Sequence, residues 1–199
     1  MSVRNLICVA CAAACLLNSG VANAESSIDP LQLLVESSAQ RVAIADQVAL
    51  SKWDSAMSVE DPVREAAVIA SAVAEGRGRQ LAGEDVARFF KAQIEANKLV
   101  QYSLLSTWRF LNYAPPHAPV NLVGTVRPEL DRLQTTMVVA LAEASPVRSS
   151  KTCASEVATA VGRYAFAHRF DDAVTPQLDI QRLHLIGVQR AMAGFCPVY

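Results

Sequence analysis

An all-α fold is the class this sequence predicts, on three observations. Apolar residues recur three and four positions apart through most of its 199 residues, the spacing that lines one face of a helix. No stretch alternates convincingly with the two-residue period of a strand. The breaks fall where turn residues cluster. In order, the helical periods run from Leu31 to Trp53, from Val63 to about Val73, from Val86 to Phe110, from Val126 to Leu141, and across 153–167 and 176–193. The breaks are "SAMSVEDP", "EGRGRQLAGED" and the proline-rich "NYAPPHAPVN". The last divides a core of three helices, residues 25–112, from a C-terminal helical extension, residues 113–199.

The opening "MSVRNLICVACAAACLLNSGVANAESS" has the three parts of an export signal: a basic start at Arg4, an apolar run from Leu6 to Leu17, and small residues at Ala22 and Ala24. That run is shorter than the roughly 20 residues of a spanning helix. We therefore expect residues 1–24 to be a cleaved signal peptide, and the exported chain to have no membrane anchor. Cys8, Cys11 and Cys15 leave with it, so Cys153 and Cys196 remain, an even pair that in an exported chain reads as one disulfide. Residues 25–199 hold 17 basic and 19 acidic residues with no block of like charge, which gives no support to a nucleic-acid or membrane-surface partner.

The first helix carries two cations on a face that is otherwise apolar. Arg41 and Lys52 are eleven residues apart; at about 100° per residue that is within roughly 20° of three full turns, with alpha carbons about 16 Å apart. They share a stripe with Ala45 and Val48. Either both snorkel to water from its edge, or both serve an anionic ligand. In "EDPVREA", Asp61 suits an N-cap and Pro62 the first helical position. Arg64 and Glu65 then fall in the first turn, beside backbone N–H groups that lack intrahelical partners. This is either an ordinary charged helix start or an anion site. In the third helix Asn97 and Gln101, four apart, share a face with Phe90, Ile94, Leu104 and Trp108. Their amides need partners, since an unsatisfied buried polar group costs about 1–3 kcal/mol; another helix or a ligand could supply them.

Other chemistries find no footing. His117, His168 and His184 have neither ligands nor a nucleophile at catalytic spacing, no motif for covalent catalysis occurs, and glycines are too few for a phosphate loop. Trp53, Phe89, Phe90 and Trp108 read as core.

Taken together, Arg41, Lys52, Arg64, Asn97 and Gln101, in the runs "RVAIADQVALSKW", "EDPVRE" and "QIEANKLVQYSLLSTW", resemble the all-helical AroQ class of chorismate mutases, and in particular its secreted branch. The resemblance is dense from about 37 to 108 and looser beyond. It implies an AroQ-type helical bundle whose C-terminal helical extension completes the active site, one disulfide, and a homodimer. The implied reaction is the intramolecular [3,3] rearrangement of chorismate, a dianion, to prephenate, with no nucleophile, metal or cofactor.

Residue by residue, the resemblance places Arg41 and Arg64 on substrate carboxylates, where a planar guanidinium grips two oxygens. Lys52 and Gln101 donate to the ether oxygen. Asp61, through its backbone N–H, and Glu65 hold the ring hydroxyl, and Asn97 matches a carboxylate-binding position. One further arginine is expected from the extension: Arg127, with Arg132 as the alternative. Two positions depart from the family pattern. Asn97 stands for the usual Ser or Thr, and Gln101 is an amide where some secreted relatives have Glu. An isochorismate pyruvate-lyase on the same fold, or a noncatalytic helical module binding acidic metabolites, would use a similar cationic pocket.

Overall fold

The computed structural model describes residues 29–168 and 176–197; the export signal expected over 1–24 lies outside them. The described residues form helices and connecting turns without a strand. Asp29 caps α1 (Pro30–Ser55) by accepting the Leu31 N–H at 3.0 Å, with Pro30 at the first helical position. Asp61 does the same for α2 (Pro62–Arg77), accepting the Arg64 N–H at 3.1 Å, while the Glu65 side chain returns to the Asp61 N–H at 3.2 Å. These reciprocal bonds satisfy two backbone donors at the helix start. Helix α2 runs four residues beyond the Val73 expected from periodicity, because Gly76, four after the buried Ala72, carries the buried stripe one turn further without an apolar side chain to mark it.

The long α3 (Gly83–Leu111) packs against both α1 and α2. Phe89, Phe90, Val100 and Leu105 of α3 are buried with Leu34, Val35 and Val42 of α1, and Trp53 meets Trp108 edge to face at 6.2 Å. After the proline-rich segment the chain makes a π-helical turn, Leu122–Val126, which the sequence did not announce. It enters α4 (Arg127–Glu143) and then the short α5 (Ser145–Arg148). Ile44 of α1 is buried against Val126 and Leu133, a small second core that seats the start of α4 over α1.

Helices α6 (Cys153–Ala167) and α7 (Pro176–Met192) complete the extension. Helix α7 lies against α1 and α3, and Gly187 permits the approach: a Cβ there would meet Val42 at 2.8 Å and Val100 at 3.3 Å. In the same seam the Gln93 amide donates to Ser38 Oγ at 2.9 Å and to the Ala191 carbonyl at 3.3 Å, joining three helices by one buried side chain. The histidines brace surfaces: His117 pairs with Asp54 at 3.0 Å, His184 with Asp46 at 2.8 Å, and His168 stacks on Tyr164.

Cys153 and Cys196 form the expected disulfide, joining the start of α6 to the segment after α7. Closing a loop of about 42 residues removes roughly 4 kcal/mol of unfolded-state entropy, less any strain. The double replacement Cys153→Ser, Cys196→Ser should lower unfolding stability by up to about 4 kcal/mol, read from urea midpoints. A loss below about 1 kcal/mol would mean that α6 and α7 hold without the bond.

Candidate active site

One pocket, of about 160 Å³, gathers side chains from α1, α2, α3 and α4. All eight substrate-site residues expected from sequence line it: Arg41, Lys52, Asp61, Arg64, Glu65, Asn97, Gln101 and Arg127. Its apolar wall is made by Val48, Val59, Val68, Ile94, Leu122, Val126 and Leu130. The packing of the four helices explains the convergence. Helix α1 presents Arg41 and Lys52 on one stripe, α3 crosses it with Asn97 and Gln101, and the capped start of α2 brings Asp61, Arg64 and Glu65. The seating of Val126 against Ile44 delivers Arg127. Arg132 does not line the pocket; it is exposed and lies 3.7 Å from Glu129.

Arg41 is 6 % exposed, and its Nε has no hydrogen-bond partner among the described residues. Burial, with the positive charge of Arg64 adding to it and Asp131 opposing, pushes its guanidinium down to about 10. It therefore stays charged at neutral pH, held at a cost that a carboxylate beside it would remove. Lys52 is half-buried and donates to the Val59 carbonyl at 2.7 Å, which leaves two of its three N–H bonds for a ligand. Burial pushes its ammonium below the usual lysine value, with Asp61, Glu65 and Glu60 opposing.

The amides form a chain. Asn97 Nδ2 donates to the Arg41 carbonyl at 2.9 Å, and Gln101 Nε2 donates to Asn97 Oδ1 at 2.6 Å. Each amide nitrogen carries two N–H bonds, so each keeps one beyond these contacts. Arg64 lies 3.4 Å from Asp131.

Asp131, Gln134 and Lys98 also line the pocket and were not singled out from sequence. Lys98 meets Glu60 at 2.7 Å, Glu95 at 3.1 Å and Glu65 at 3.4 Å. Burial works against its charge, but hydrogen bonds to Glu60 and Glu95 more than offset this, and its pKa is raised. On its own helix Lys98 reads as a solvated charge with Glu95 one turn back, which marks no site. Five cations line the pocket against three carboxylates, Asp61, Glu65 and Asp131, a formal excess of two positive charges. An apolar-walled hollow with that excess suits a small dianion with an apolar body.

Residues 28–102 match the family described as chorismate mutase type II. A secreted chorismate mutase of Mycolicibacterium smegmatis is 32% identical over 156 residues, which cover 77% of this chain and 86% of that protein. A crystal structure of a chorismate mutase from Burkholderia phymatum superposes with a TM-score of 0.75 at 40% identity, covering 85% of this chain and 98% of that one. One from Burkholderia thailandensis gives 0.74 at 29% identity, covering 84% and 99%.

Proposed function

The chain belongs to the type II chorismate mutase family, and from that premise we propose how its pocket converts chorismate to prephenate. The observation that carries the reading is the convergence of Arg41, Lys52, Arg64, Gln101 and Arg127, from four helices, on one hollow with a net positive lining. The relatives named secreted chorismate mutases support an exported enzyme, and among the described residues no helix is long and apolar enough to cross a membrane. Cleavage of residues 1–24 and assembly as a homodimer belong to the same proposal.

Arg41, Arg64 and Arg127 bind the two carboxylates and fold the substrate's enolpyruvyl side chain over its ring. This confines it in the compact chair from which the ether C–O bond breaks as the new C–C bond forms. Negative charge grows on the ether oxygen in that transition state. Lys52 and the second N–H of Gln101 donate to it, and both are fixed before the reaction, one by the Val59 carbonyl and the other by Asn97. Asn97 thereby orients Gln101, and keeps one N–H for a carboxylate. Glu65 accepts the ring hydroxyl, and the Asp61 N–H, which donates to Glu65 Oε1 at 3.2 Å, reaches that hydroxyl by being shared with the carboxylate. A ligand that is itself anionic explains why α1 turns a buried Arg41 and a half-buried Lys52 into the pocket.

Purified chain lacking residues 1–24, given chorismate and no cofactor, should consume its absorbance and form prephenate mole for mole. Persistence of chorismate, or release of salicylate and pyruvate from isochorismate in its place, would overturn the reading.

A further inference from the structure

Lys98 has no role in the reading above, yet its side chain is only 12 % exposed, it borders the pocket, and it meets three carboxylates. Two of them brace it. Glu95 lies one turn back on α3, and Glu60 lies on the segment between α1 and α2. The third is Glu65, the carboxylate assigned to the substrate hydroxyl.

Both oxygens of Glu65 are accounted for. Oε1 accepts the Asp61 N–H at 3.2 Å and Oε2 accepts from Lys98 Nζ at 3.4 Å. A glutamate on the first turn of an exposed helix start would otherwise sample several rotamers, most of them turned to water. Two fixed donors select the one that borders the pocket. The ammonium also lowers the energetic penalty of placing a carboxylate beside a dianionic substrate, which would otherwise repel it.

We infer that Lys98 is a positioning residue for this reaction: braced by Glu60 and Glu95, it holds the Glu65 carboxylate in place to receive the substrate's ring hydroxyl. The inference rests on the chorismate mutase reading. Removing Lys98 leaves Glu60 tied to α3 through Tyr102, whose hydroxyl donates to it at 2.8 Å. The segment carrying Val59 therefore stays pinned, and the effect falls on Glu65.

The test is a double-mutant cycle between Lys98→Met and Glu65→Gln, with kcat and KM measured for chorismate and folding followed by thermal melts. Lys98→Met alone should lower kcat/KM by about 10- to 100-fold, as removal of a partner that orients a ligand-holding group does. In the Glu65→Gln background the same change should cost less than about threefold, because the two residues act as a unit. Lys98→Arg keeps the cation and should recover part of the loss; if the Met variant fails to fold, Arg takes its place in the cycle. Lys98→Met within about threefold of wild type, or losses that multiply across the cycle, would overturn the inference while leaving the mutase reading intact. A wild-type chain that leaves chorismate unchanged would overturn the reading and the inference together.

Discussion

Lys52→Ala should lower kcat for chorismate by about 10² to 10³, the loss expected when a fixed donor to a developing oxyanion is removed. The side chain is half-buried, its ammonium is steered by the Val59 carbonyl at 2.7 Å, and its one hydrogen bond goes to the segment after α1 and not to the α1 backbone. Circular dichroism should therefore be unchanged. The deficit should fall mainly on kcat, because the charge on the ether oxygen exists only in the transition state. Lys52 also sets an alkaline limit. Burial already holds its pKa below the usual lysine value, so the cationic form is lost at lower pH than for a free lysine, and kcat/KM should decline with it. A bound dianion favours the ammonium, so kcat should hold to higher pH than kcat/KM. An alanine variant within tenfold of wild type, or profiles flat past the ordinary lysine range, would remove Lys52 from the chemistry.

Gln101→Glu should confine activity to acid, with turnover at pH 8 about 10²-fold below wild type, the scale of one lost donor. The amide donates at any ordinary pH and has two N–H bonds, one given to Asn97 Oδ1 at 2.6 Å and one left for the ether oxygen. A carboxyl has at most one O–H to share between those acceptors, and none once ionised. The variant should thus be slower than wild type even in acid and fall further as pH rises, while wild type persists through neutral pH. Equal rates for the two proteins at high pH would contradict the assignment of Gln101.

Much of this arrangement was legible because its determinants are local. The eleven-residue separation of Arg41 and Lys52 fixes their common direction whatever packs on them, and Asp61-Pro62 marks a helix start, although the N–H groups expected to be free there at Asp61 and Arg64 are taken by the Glu65 and Asp61 side chains. Asn97 and Gln101 were visibly stacked, but their partner, the Arg41 carbonyl, belongs to another helix and could not be read from spacing. Arg127 and Arg132 could not be separated, because the π-helical turn over Leu122–Val126 shifts the phase of the helix that follows, and no 3.6-residue count can be carried through it. Lys98 was missed for a different reason. On its own helix it reads as a solvated charge with Glu95 one turn away, and only the crossing of α2 over α3 brings Glu60 and Glu65 to it. Asp131 escaped in the same way, through its approach to Arg64 across 67 residues of sequence. The disulfide followed from counting cysteines, since only two remain outside the export signal expected over residues 1–24.

The central claim is that the positive cradle is built in advance for the chair-like, polarised geometry and not for carboxylates in general. Calorimetry with two dianions of equal charge tests it directly: a rigid bicyclic diacid that fixes the chair with its bridging oxygen, and a flat aromatic diacid. The account predicts that the bicyclic compound binds at least about 10²-fold more tightly, as transition-state mimics do. Equal affinity for the two would contradict it.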